Sequence, residues 1–297
     1  MYTSYPIHLT TLGVAAMLLC SPASAAIKWD FKCGGAGQPA CSSSVAPSYT
    51  YVGKDGLVNA GIGTRVSAWA DTGAAGDVGN KLYQGNTYAY SGGLGVQWKK
   101  SNGSGETVES LGSPEHSMDN CGSYNTSGIC TAGAPEDMLL LTFDKAVELT
   151  EVAIGWYQTD ADITLLAYTG GGTPDLTGST YSYTDAAGGG SAGLTNGGWS
   201  FIGHYADLQS SGNKATVNPG GVTSSYWLIG AYNNRVSSQN GTWSPDNDFA
   251  KVASVSGNYT TPPSSVPEPG SLLLLGLGLP LLGRMHSRTP RALRTVR

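Results

Sequence analysis

Charged side chains are scarce in this chain of 297 residues, at 12% of the total, and Lys and Arg together number only 16. Five of these 16 are arginines that follow Gly283, whereas every Asp and Glu lies between Asp30 and Glu268. The body of the chain is therefore more acidic than the net charge of −5 suggests. Because contacts to phosphate need clusters of Lys and Arg, this pattern argues against nucleic acid as a partner.

The chain also lacks amphipathic helix patterns, since no long run outside its two ends repeats with the helical period of about 3.6 residues. It is instead rich in Gly, with 43 residues, and in Tyr and Trp, with 16 and 7. Abundant Gly beside aromatic residues is typical of short strands joined by tight turns. The clearest strand-like segments are "MLLLTF" (138–143), "EVAIGWY" (151–157), "DITLLAYT" (162–169), "GWSFIGHY" (198–205), "SYWLIGAY" (225–232) and "DFAKVASVS" (248–256).

These segments predict an all-β fold: an antiparallel β-sandwich or jelly roll that forms a single domain over residues 26–257. Side chains alternate between the two faces of a strand. In the segment 151–157 this alternation places Val152, Ile154 and Trp156 on one face.

In the segment 198–205, the same alternation places Trp199 and Phe201 together with Tyr205, and it places His204 on the opposite, exposed face. The Gly-rich segment 178–198 is expected to be a long loop. We expect that loop to expose Tyr181 and Tyr183.

The first 25 residues have no Lys or Arg, and they contain an apolar core from Leu12 to Cys20. Ala23, Ser24 and Ala25 follow, and small residues at the first and third of these positions mark a cleavage site for signal peptidase. We therefore predict a helical signal peptide at residues 1–25 and a mature chain that starts at Ala26. A buried amino-terminal helix is the alternative.

Export would place the four remaining cysteines in an oxidising compartment. They form two close pairs, Cys33 with Cys41 and Cys121 with Cys130, and each pair closes a short loop that contains Gly. Four cysteines allow three pairings, of which we favour the two local disulfides. The alternative is a metal site with four thiolates, although the spacings lack the short Cys-x2–4-Cys knuckles of zinc sites.

A short apolar run, Ser271 to Gly283, lies between a Pro-Glu-Pro and a tail with five arginines. A helix of this length would measure about 20 Å, whereas the hydrocarbon core of a bilayer is about 30 Å thick. The run is therefore a poor permanent anchor, and without a polar face it is also a poor core helix. The arginines would remain on the cytoplasmic side and leave the body of the protein outside.

Pro267, Glu268 and Pro269, the short Leu/Gly run and the Arg-rich end together resemble the PEP-CTERM sorting signal of exosortase-dependent bacterial surface proteins. The resemblance covers residues 266–297. It implies that an inner-membrane exosortase recognises Pro267, Glu268 and Pro269 and removes the segment near them, after the short hydrophobic helix has contacted the inner membrane transiently. Residues 258–265, rich in Pro, Ser and Thr, are the predicted linker.

The same resemblance implies where the protein acts. It implies export through the inner membrane to the cell surface or extracellular matrix of a Gram-negative-type bacterium. It also implies an association with exopolysaccharide and biofilm. The segment from Leu139 to Gly172 loosely resembles the β-sandwich bodies that precede such tails, and jelly-roll carbohydrate-binding modules have a similar strand rhythm.

Two pairs of acidic residues in predicted turns are candidate ligands for Ca²⁺, which binds several carboxylate and carbonyl oxygens. They are Asp160 with Asp162 and Asp246 with Asp248. Neither pair has the spacing of an EF-hand loop. Solvated turn acids are the alternative.

Four aromatic residues that have polar neighbours are candidates for stacking on sugar rings: Trp156, Tyr157, Trp227 and Tyr232. An aromatic side chain on one face of a strand more often packs in the core, which is the alternative for each of the four.

The sequence offers no convincing catalytic set. His204 has Asp207 nearby, but Ser191 in "GGSAG" (189–193) lacks the preceding strand and following helix of a nucleophile elbow. We therefore expect no enzymatic activity and a structural or adhesive role linked to exopolysaccharide. A carbohydrate-binding module is the alternative, and a secreted hydrolase is a less favoured one.

Overall fold

The computed structural model describes these residues: 26–34, 41, 46–55, 58–71, 81–101, 106–108, 116–124, 130–133, 136–184, 193–237, 243 and 247–259. The predicted signal peptide, linker end and sorting signal lie outside this set. The chain divides into two compact units, Met1–Tyr259 and Thr260–Arg297. Among the described residues, no helix has the length and hydropathy needed to cross a membrane.

The described part of the first unit is all-β, which confirms the predicted fold class. It contains the strands β1 (Ile27–Asp30), β2 (Ser48–Asp55), β3 (Val58–Asp71), β4 (Leu82–Gln84), β5 (Asn86–Tyr90), β6 (Gly93–Gln97), β7 (Lys99–Ser101), β8 (Glu106–Val108), β9 (Met118–Asp119), β10 (Cys121–Tyr124), β11 (Cys130–Gly133), β12 (Asp137–Tyr157), β13 (Ile163–Tyr168), β14 (Trp199–Tyr205), β15 (Lys214–Thr216), β16 (Ser224–Ala231) and β17 (Phe249–Asn258).

Thirteen of these strands form one antiparallel sheet with the order β14-β13-β16-β12-β3-β2-β1-β17-β6-β5. Off this path, β15 pairs with β12, β4 with β3 and β9 with β17. An additional pairing of β12 with β17 closes a circuit of five strands, β12-β3-β2-β1-β17. The sheet therefore folds back on itself into a β-sandwich-like body. The strands β7 with β8 and β10 with β11 form two separate hairpins.

The longest strand, β12, belongs to both layers of this body. Its first half, from Met138 to Phe143, lies between β3 and β16. Its second half, from Glu148 to Tyr157, lies against β17 and β15. The sequence analysis predicted two separate strands here, at 138–143 and 151–157. That prediction was wrong, because the strand bends at this point without ending and Asp144 Oδ2 accepts a hydrogen bond from the N–H of Gly63 (2.8 Å).

The main hydrophobic core fills the space inside the sandwich. It takes one face of each central strand, with buried side chains that include Trp29, Phe31, Leu139, Leu141, Val152, Ile154, Ile163, Leu165, Trp227, Ile229, Val252 and Val255. Trp227 is fully buried, and its Nε1 donates hydrogen bonds to the carbonyl oxygens of Val147 (3.2 Å) and Ser224 (3.0 Å). The polar atom of this large ring therefore keeps its partners inside the core.

A second, smaller core covers the other face of β12, β13 and β16. Its buried members are Leu82, Met138, Leu140, Leu166, Leu176, Tyr181, Leu194, Trp199, Leu228 and Val236. Because β13, β16 and the first half of β12 are buried on both faces, their sequences read as continuous apolar runs and not as alternating ones. Tyr181, predicted to be exposed, is fully buried in this core, so that prediction was wrong.

A β-bulge in β14 changes which residues share a face. Leu165 pairs with Gly203 but Leu166 pairs with Phe201, which leaves Ile202 as an extra residue. Phe201 therefore packs on the second core, whereas Tyr205 packs on the main core. The bulge also turns His204 toward Phe201, with ring centroids 4.7 Å apart. The prediction of an exposed His204 was wrong, because one extra residue reverses the alternation beyond it.

A disulfide joins Cys33 and Cys41, which confirms one of the two predicted pairs. Cys121, at the start of β10, is also disulfide-bonded. The strand β11 that pairs with β10 begins at Cys130, whose side chain lies outside the described set. The Cys121–Cys130 bond stays a prediction.

One close backbone contact provides a test of the packing. A Cβ atom added to Gly95 in β6 would overlap the carbonyl oxygen of His116, whereas one added to Gly171 would meet no atom within 4 Å. We expect Gly95→Ala to lower the free energy of unfolding by about 1–3 kcal/mol, because the two backbones must separate. Gly171→Ala is the control, with a change within about 0.5 kcal/mol. Urea unfolding measures both, and equal midpoints for the two variants would contradict this packing.

Candidate functional site

A short loop between β12 and β13 carries the first pair of predicted acidic residues. Thr159 adopts a left-handed backbone conformation (φ 61°), and the chain turns there toward Asp160. The carbonyl oxygen of Asp160 accepts a hydrogen bond from the N–H of Phe249 (3.0 Å). This bond, together with a parallel β-bridge between Asp160 and Asp248, brings the start of β17 beside the loop.

The carboxylate of Asp248 holds this loop in place through hydrogen bonds. Its Oδ1 accepts a hydrogen bond from the N–H of Asp162 (2.8 Å), and its Oδ2 accepts one from Nδ2 of Asn120 (2.6 Å). The N–H of Asp248 donates to Oδ1 of Asn120 in return (3.1 Å). Both carboxylate oxygens of Asp248 therefore support the loop and the segment after β9.

A third carboxylate, absent from the predicted set, completes the group. Asp207 follows β14, and its N–H donates to Oδ1 of Asp162 (2.6 Å). Gln209 Nε2 donates to Oδ1 of Asp160 (2.7 Å) and to Oδ1 of Asp207 (3.3 Å). One carboxylate oxygen from each of Asp160, Asp162 and Asp207 lies within 4.8 Å of the others. We call these three residues the carboxylate cluster.

The pairing of β13 with β14 explains why Asp207 belongs here. Ile163 is opposite Tyr205, so the residues just before β13 and just after β14 meet at the same end of the two strands. The sequence signal was the position of an acid at each of these two strand ends. That signal is readable only once the pairing of the two strands is known.

The charges in the cluster repel one another. The pKa of Asp162 is raised to about 6, mainly because its carboxyl group is buried; the N–H of Asp207 opposes this effect, and the charges of Asp160 and Asp207 add to it. The pKa of Asp248 is raised well above its ordinary value by burial and then by the charge of Asp162. Within the described part of the chain, no Lys or Arg forms an ion pair with these acids.

A second acidic group in the body contrasts with this one. Asp71 and Glu136 are both buried, but Arg235 forms ion pairs with Glu136 and with Asp71 (3.6 Å). The charge of these two carboxylates is therefore compensated in part by one protein cation. The carboxylate cluster has only hydrogen bonds from neutral groups, which do not cancel its charge.

The carboxylate cluster suits a hard divalent cation, because its converging atoms are oxygens. Of the four predicted Ca²⁺ ligands, Asp160 and Asp162 lie in the cluster. Asp248 lies beside it with both oxygens engaged, and Asp246 lies outside the described residues. Ca²⁺ binding stays a prediction, with Asp207 as the third carboxylate in place of the second predicted pair.

The four predicted sugar-stacking residues lie in different environments. Trp227 is fully buried and Tyr232 is 3% exposed, so neither ring has a face available to a sugar in this fold. Trp156 is half-buried beneath the ammonium group of Lys251, which lies 4.5 Å from the ring centre. Tyr157 is 44% exposed and directly precedes the loop that carries Asp160 and Asp162.

His204 takes part in a neutral hydrogen-bond network and not in a catalytic pair. Its Nε2 lies 2.9 Å from the carbonyl oxygen of Ser237, which can only accept, so Nε2 carries the proton. Its Nδ1 lies 2.9 Å from the hydroxyl of Thr164. That hydroxyl accepts from the N–H of Asn233 (3.0 Å) and donates to Nδ1. Asp207, the acid near His204 in the sequence, contacts Asp162 instead, and Ser191 lies outside the described residues.

Calcium binding predicts a specific stabilisation. We expect Ca²⁺ to raise the free energy of unfolding of the mature protein, by about 2.7 kcal/mol when free Ca²⁺ exceeds its Kd a hundredfold. Asp162→Asn should remove this gain, because it replaces a central carboxylate by an amide of the same shape. Asp55→Asn, at an exposed carboxylate in β2, is the control and should keep the gain. Thermal unfolding with Ca²⁺ or chelator measures the effect, and equal responses of the two variants would rule out this site.

The network around His204 predicts a pH dependence. Burial lowers the pKa of His204 below 6.5, although its bond to Ser237 opposes this effect. The unfolded chain then binds a proton more readily than the folded one, so this stabilisation is complete above pH 6.5 and is lost as the pH falls through the lower folded pKa. The groups that face the ring, from Thr164, Phe201, Tyr232, Ser237 and Trp243, are all uncharged.

We therefore expect the free energy of unfolding to fall less between pH 7 and pH 5 for His204→Gln than for the unmodified protein. The comparison is of these two changes and not of the stabilities at pH 7. Urea unfolding at several pH values measures the two slopes. Parallel slopes would contradict a histidine that is buried in its neutral form.

The comparisons with known proteins concern the carboxyl end. A model of the PEP-CTERM protein-sorting motif matches residues 265–291, which include Pro267, Glu268 and Pro269. No curated protein and no solved structure matches the chain significantly. The motif implies export and sorting to the cell surface in bacteria, with this chain as the substrate of an exosortase. The chain therefore carries a PEP-CTERM sorting motif at residues 265–291.

Proposed function

We propose that the β-sandwich body has a structural or adhesive role in the exopolysaccharide matrix outside the cell, and that it is not an enzyme. The observation that carries the proposal is the position of Tyr157. Its exposed ring directly precedes the loop of the carboxylate cluster. An aromatic face beside a cation site could hold one sugar residue of an acidic polymer by stacking and by a shared Ca²⁺.

The electrostatics of the body support a role for the cation. The body is acidic, so it repels an anionic polymer at distances up to the screening length of about 8–10 Å in physiological salt. The uncompensated charge of Asp160, Asp162 and Asp207 adds to this repulsion locally. A divalent cation would reverse the sign of that local interaction, because it would be shared between protein and polymer carboxylates.

The environment of His204 does not suit a general base, which supports the proposal that the body is not an enzyme. Both ring nitrogens already have partners, Thr164 and Ser237. A general base must be able to reach the proton that it removes. His204 is 8% exposed and lies between aromatic rings, so substrate access to it is poor.

The sorting step predicts the two ends of the surface form. We expect mass spectrometry to find a mature chain that begins near Ala26 and ends near Pro269. The small residues Ala23 and Ala25 define the first cut, and Pro267, Glu268 and Pro269 define the second. A strain without exosortase is the control and should keep the carboxyl-terminal arginines. Detection of Arg297 on the surface form of the exosortase-containing strain would contradict sorting by this route.

The adhesive role predicts how the body binds polymer. We expect purified body to be retained by the native exopolysaccharide in Ca²⁺ and released by chelator. Tyr157→Ala should weaken retention about threefold to tenfold, which corresponds to an aromatic contact of about 0.5–1.5 kcal/mol. Val52→Ala is the matched control, since Val52 is the other large apolar side chain found exposed among the described residues.

Retention that neither chelator nor Tyr157→Ala changes would refute binding at this site. Steady release of sugar fragments from the polymer would refute the non-enzymatic role.

A further inference from the structure

A row of side chains crosses four neighbouring strands on the outer face of one layer of the body. Thr142 of β12 is opposite Arg65 of β3 on one side and opposite Tyr226 of β16 on the other. Residues that are directly opposite each other in a sheet point to the same face. Tyr168 of β13 extends the row, because its ring meets that of Tyr226 with centroids 5.9 Å apart. We call Arg65, Thr142, Tyr226 and Tyr168 the outer row.

The outer row points away from the main core and lies at the margin of the second core. Along each strand it alternates with side chains that are buried in the main core: Val66, Leu141, Trp227 and Ala167. The next row on the same outer face is buried in the second core: Leu140, Leu228 and Leu166. Beyond this cover, Arg65 is exposed, and the other three members of the outer row are half-buried. The row is therefore open to solvent.

The polar groups of the outer row are available to a ligand. Among the described residues, neither the guanidinium group of Arg65 nor the hydroxyl group of Thr142 has a hydrogen-bond or ion-pair partner. The exposed carboxylate of Asp144 lies beside the row, because its Oδ2 accepts a hydrogen bond from the N–H of Gly63, two residues before Arg65 (2.8 Å). No cation in the described part of the chain forms an ion pair with this carboxylate. Guanidinium donors, a hydroxyl and a carboxylate are therefore offered in one place.

The lengths of the side chains give the outer row a depression at its centre. Side chains stand roughly perpendicular to a sheet, and neighbouring strands lie about 4.8 Å apart. Arg65 and Tyr226 therefore project from points about 10 Å apart, with the short side chain of Thr142 between them. The hydroxyl group of Thr142 forms the floor of this depression, and a guanidinium group and an aromatic ring form its walls. Such a space accommodates one sugar ring.

An uncharged sugar matches these groups. Its hydroxyls can accept hydrogen bonds from a guanidinium group and donate them to a carboxylate, and its C–H groups can pack on an aromatic ring. The charges of Arg65 and Asp144 are opposite and lie on adjacent strands, so together they select neither an anion nor a cation.

An extended glycan also matches the length of the outer row. Arg65 and Tyr168, at its two ends, are three strand spacings apart, which is about 14 Å. The spacing of the strands is close to the length of one sugar residue in an extended chain. Successive sugars of such a chain would therefore meet successive strands.

We propose that the outer row binds an uncharged, extended glycan chain, which crosses the four strands and places one sugar ring over Thr142. The site uses neither the carboxylate cluster nor Ca²⁺, so the inference goes beyond the proposed function. A body that also holds an acidic polymer at the carboxylate cluster would link the two kinds of chain. Only this last consequence rests on the proposed function.

Affinity electrophoresis of the mature protein tests this site. Native gels contain chelator and one uncharged polysaccharide, which is hydroxyethylcellulose, galactomannan or xyloglucan, and a gel without polysaccharide gives the reference mobility. We expect at least one of the three polysaccharides to retard the protein, because the outer row needs no cation. The dependence of mobility on polysaccharide concentration gives the Kd. The proposal is refuted if none of the three retards the protein.

Two substitutions locate the binding. Arg65→Ala should weaken it about threefold to tenfold, because it removes hydrogen bonds to the sugar. Tyr226→Leu should weaken it by a similar factor, since it removes the aromatic ring but keeps an apolar side chain against the second core. Lys28→Ala is the matched control, because it removes an exposed cation from β1 and leaves the outer row intact.

Urea unfolding checks that each variant is folded, and Arg65→Ala decides the test if Tyr226→Leu does not fold. Equal affinities of Arg65→Ala and Lys28→Ala for the polysaccharide would show that the glycan binds elsewhere and would refute the outer row.

The dependence on Ca²⁺ keeps this test separate from the proposed function. Replacement of chelator by Ca²⁺ should leave the affinity for the uncharged polysaccharide unchanged, and binding that required Ca²⁺ would contradict the outer row. If retention by the native exopolysaccharide needs Ca²⁺ but no uncharged polysaccharide binds, the proposed function stands and the outer row is wrong. If chelator does not change that retention but Arg65→Ala weakens binding of the uncharged polysaccharide, the outer row stands and the proposed function is wrong.

Discussion

The backbone pairing of β12 is the constraint on which the body depends. A straight strand of its 21 residues would be about 70 Å long, too long for a domain of this size. The strand instead bends between Thr142 and Val147, where its register to β16 shifts. Its halves pair with β3 and β16 in one layer and with β17 and β15 in the other. The two layers are therefore joined by a continuous backbone as well as by the side chains between them.

The elements around β12 explain how much of the fold the sequence could predict. Short apolar runs and frequent Gly were sufficient to predict an antiparallel all-β body, because both follow from local strand and turn chemistry. The continuity of β12 was not predictable, since it depends on contacts of this segment with β3, which include the hydrogen bond from the N–H of Gly63 to Asp144 Oδ2. The bulge at Ile202 was equally hidden, because it depends on the register of β14 against β13.

The sorting signal and the carboxylate cluster also differ in how far the sequence alone could predict them. A sorting signal is read by another protein as a linear segment, so Pro267, Glu268 and Pro269 could be recognised from the sequence and are included in the motif match. The carboxylate cluster depends on strand order. Asp160 and Asp162 were found because they are neighbours in the chain, whereas Asp207 was missed because only the pairing of β13 with β14 brings it to them.

The fold also relates the body to its processing. The strand that follows the predicted signal cut and the strand that precedes the linker are paired, with Ile27 opposite Gly257. Both strands belong to the circuit that contains β12. The integrity of the body therefore depends on the contact between its first and last described strands.

Hydrogen exchange of the backbone amides in the mature protein tests the central role of β12 most directly. We expect the amides of Leu139, Leu141 and Val152 to be among the slowest to exchange, at rates set by global unfolding. Amides of the edge strand β14 should exchange earlier through local opening. If the amides of β12 exchanged as fast as those of β14, or if its two halves exchanged at clearly different rates, the two layers would unfold independently and β12 would not hold them together.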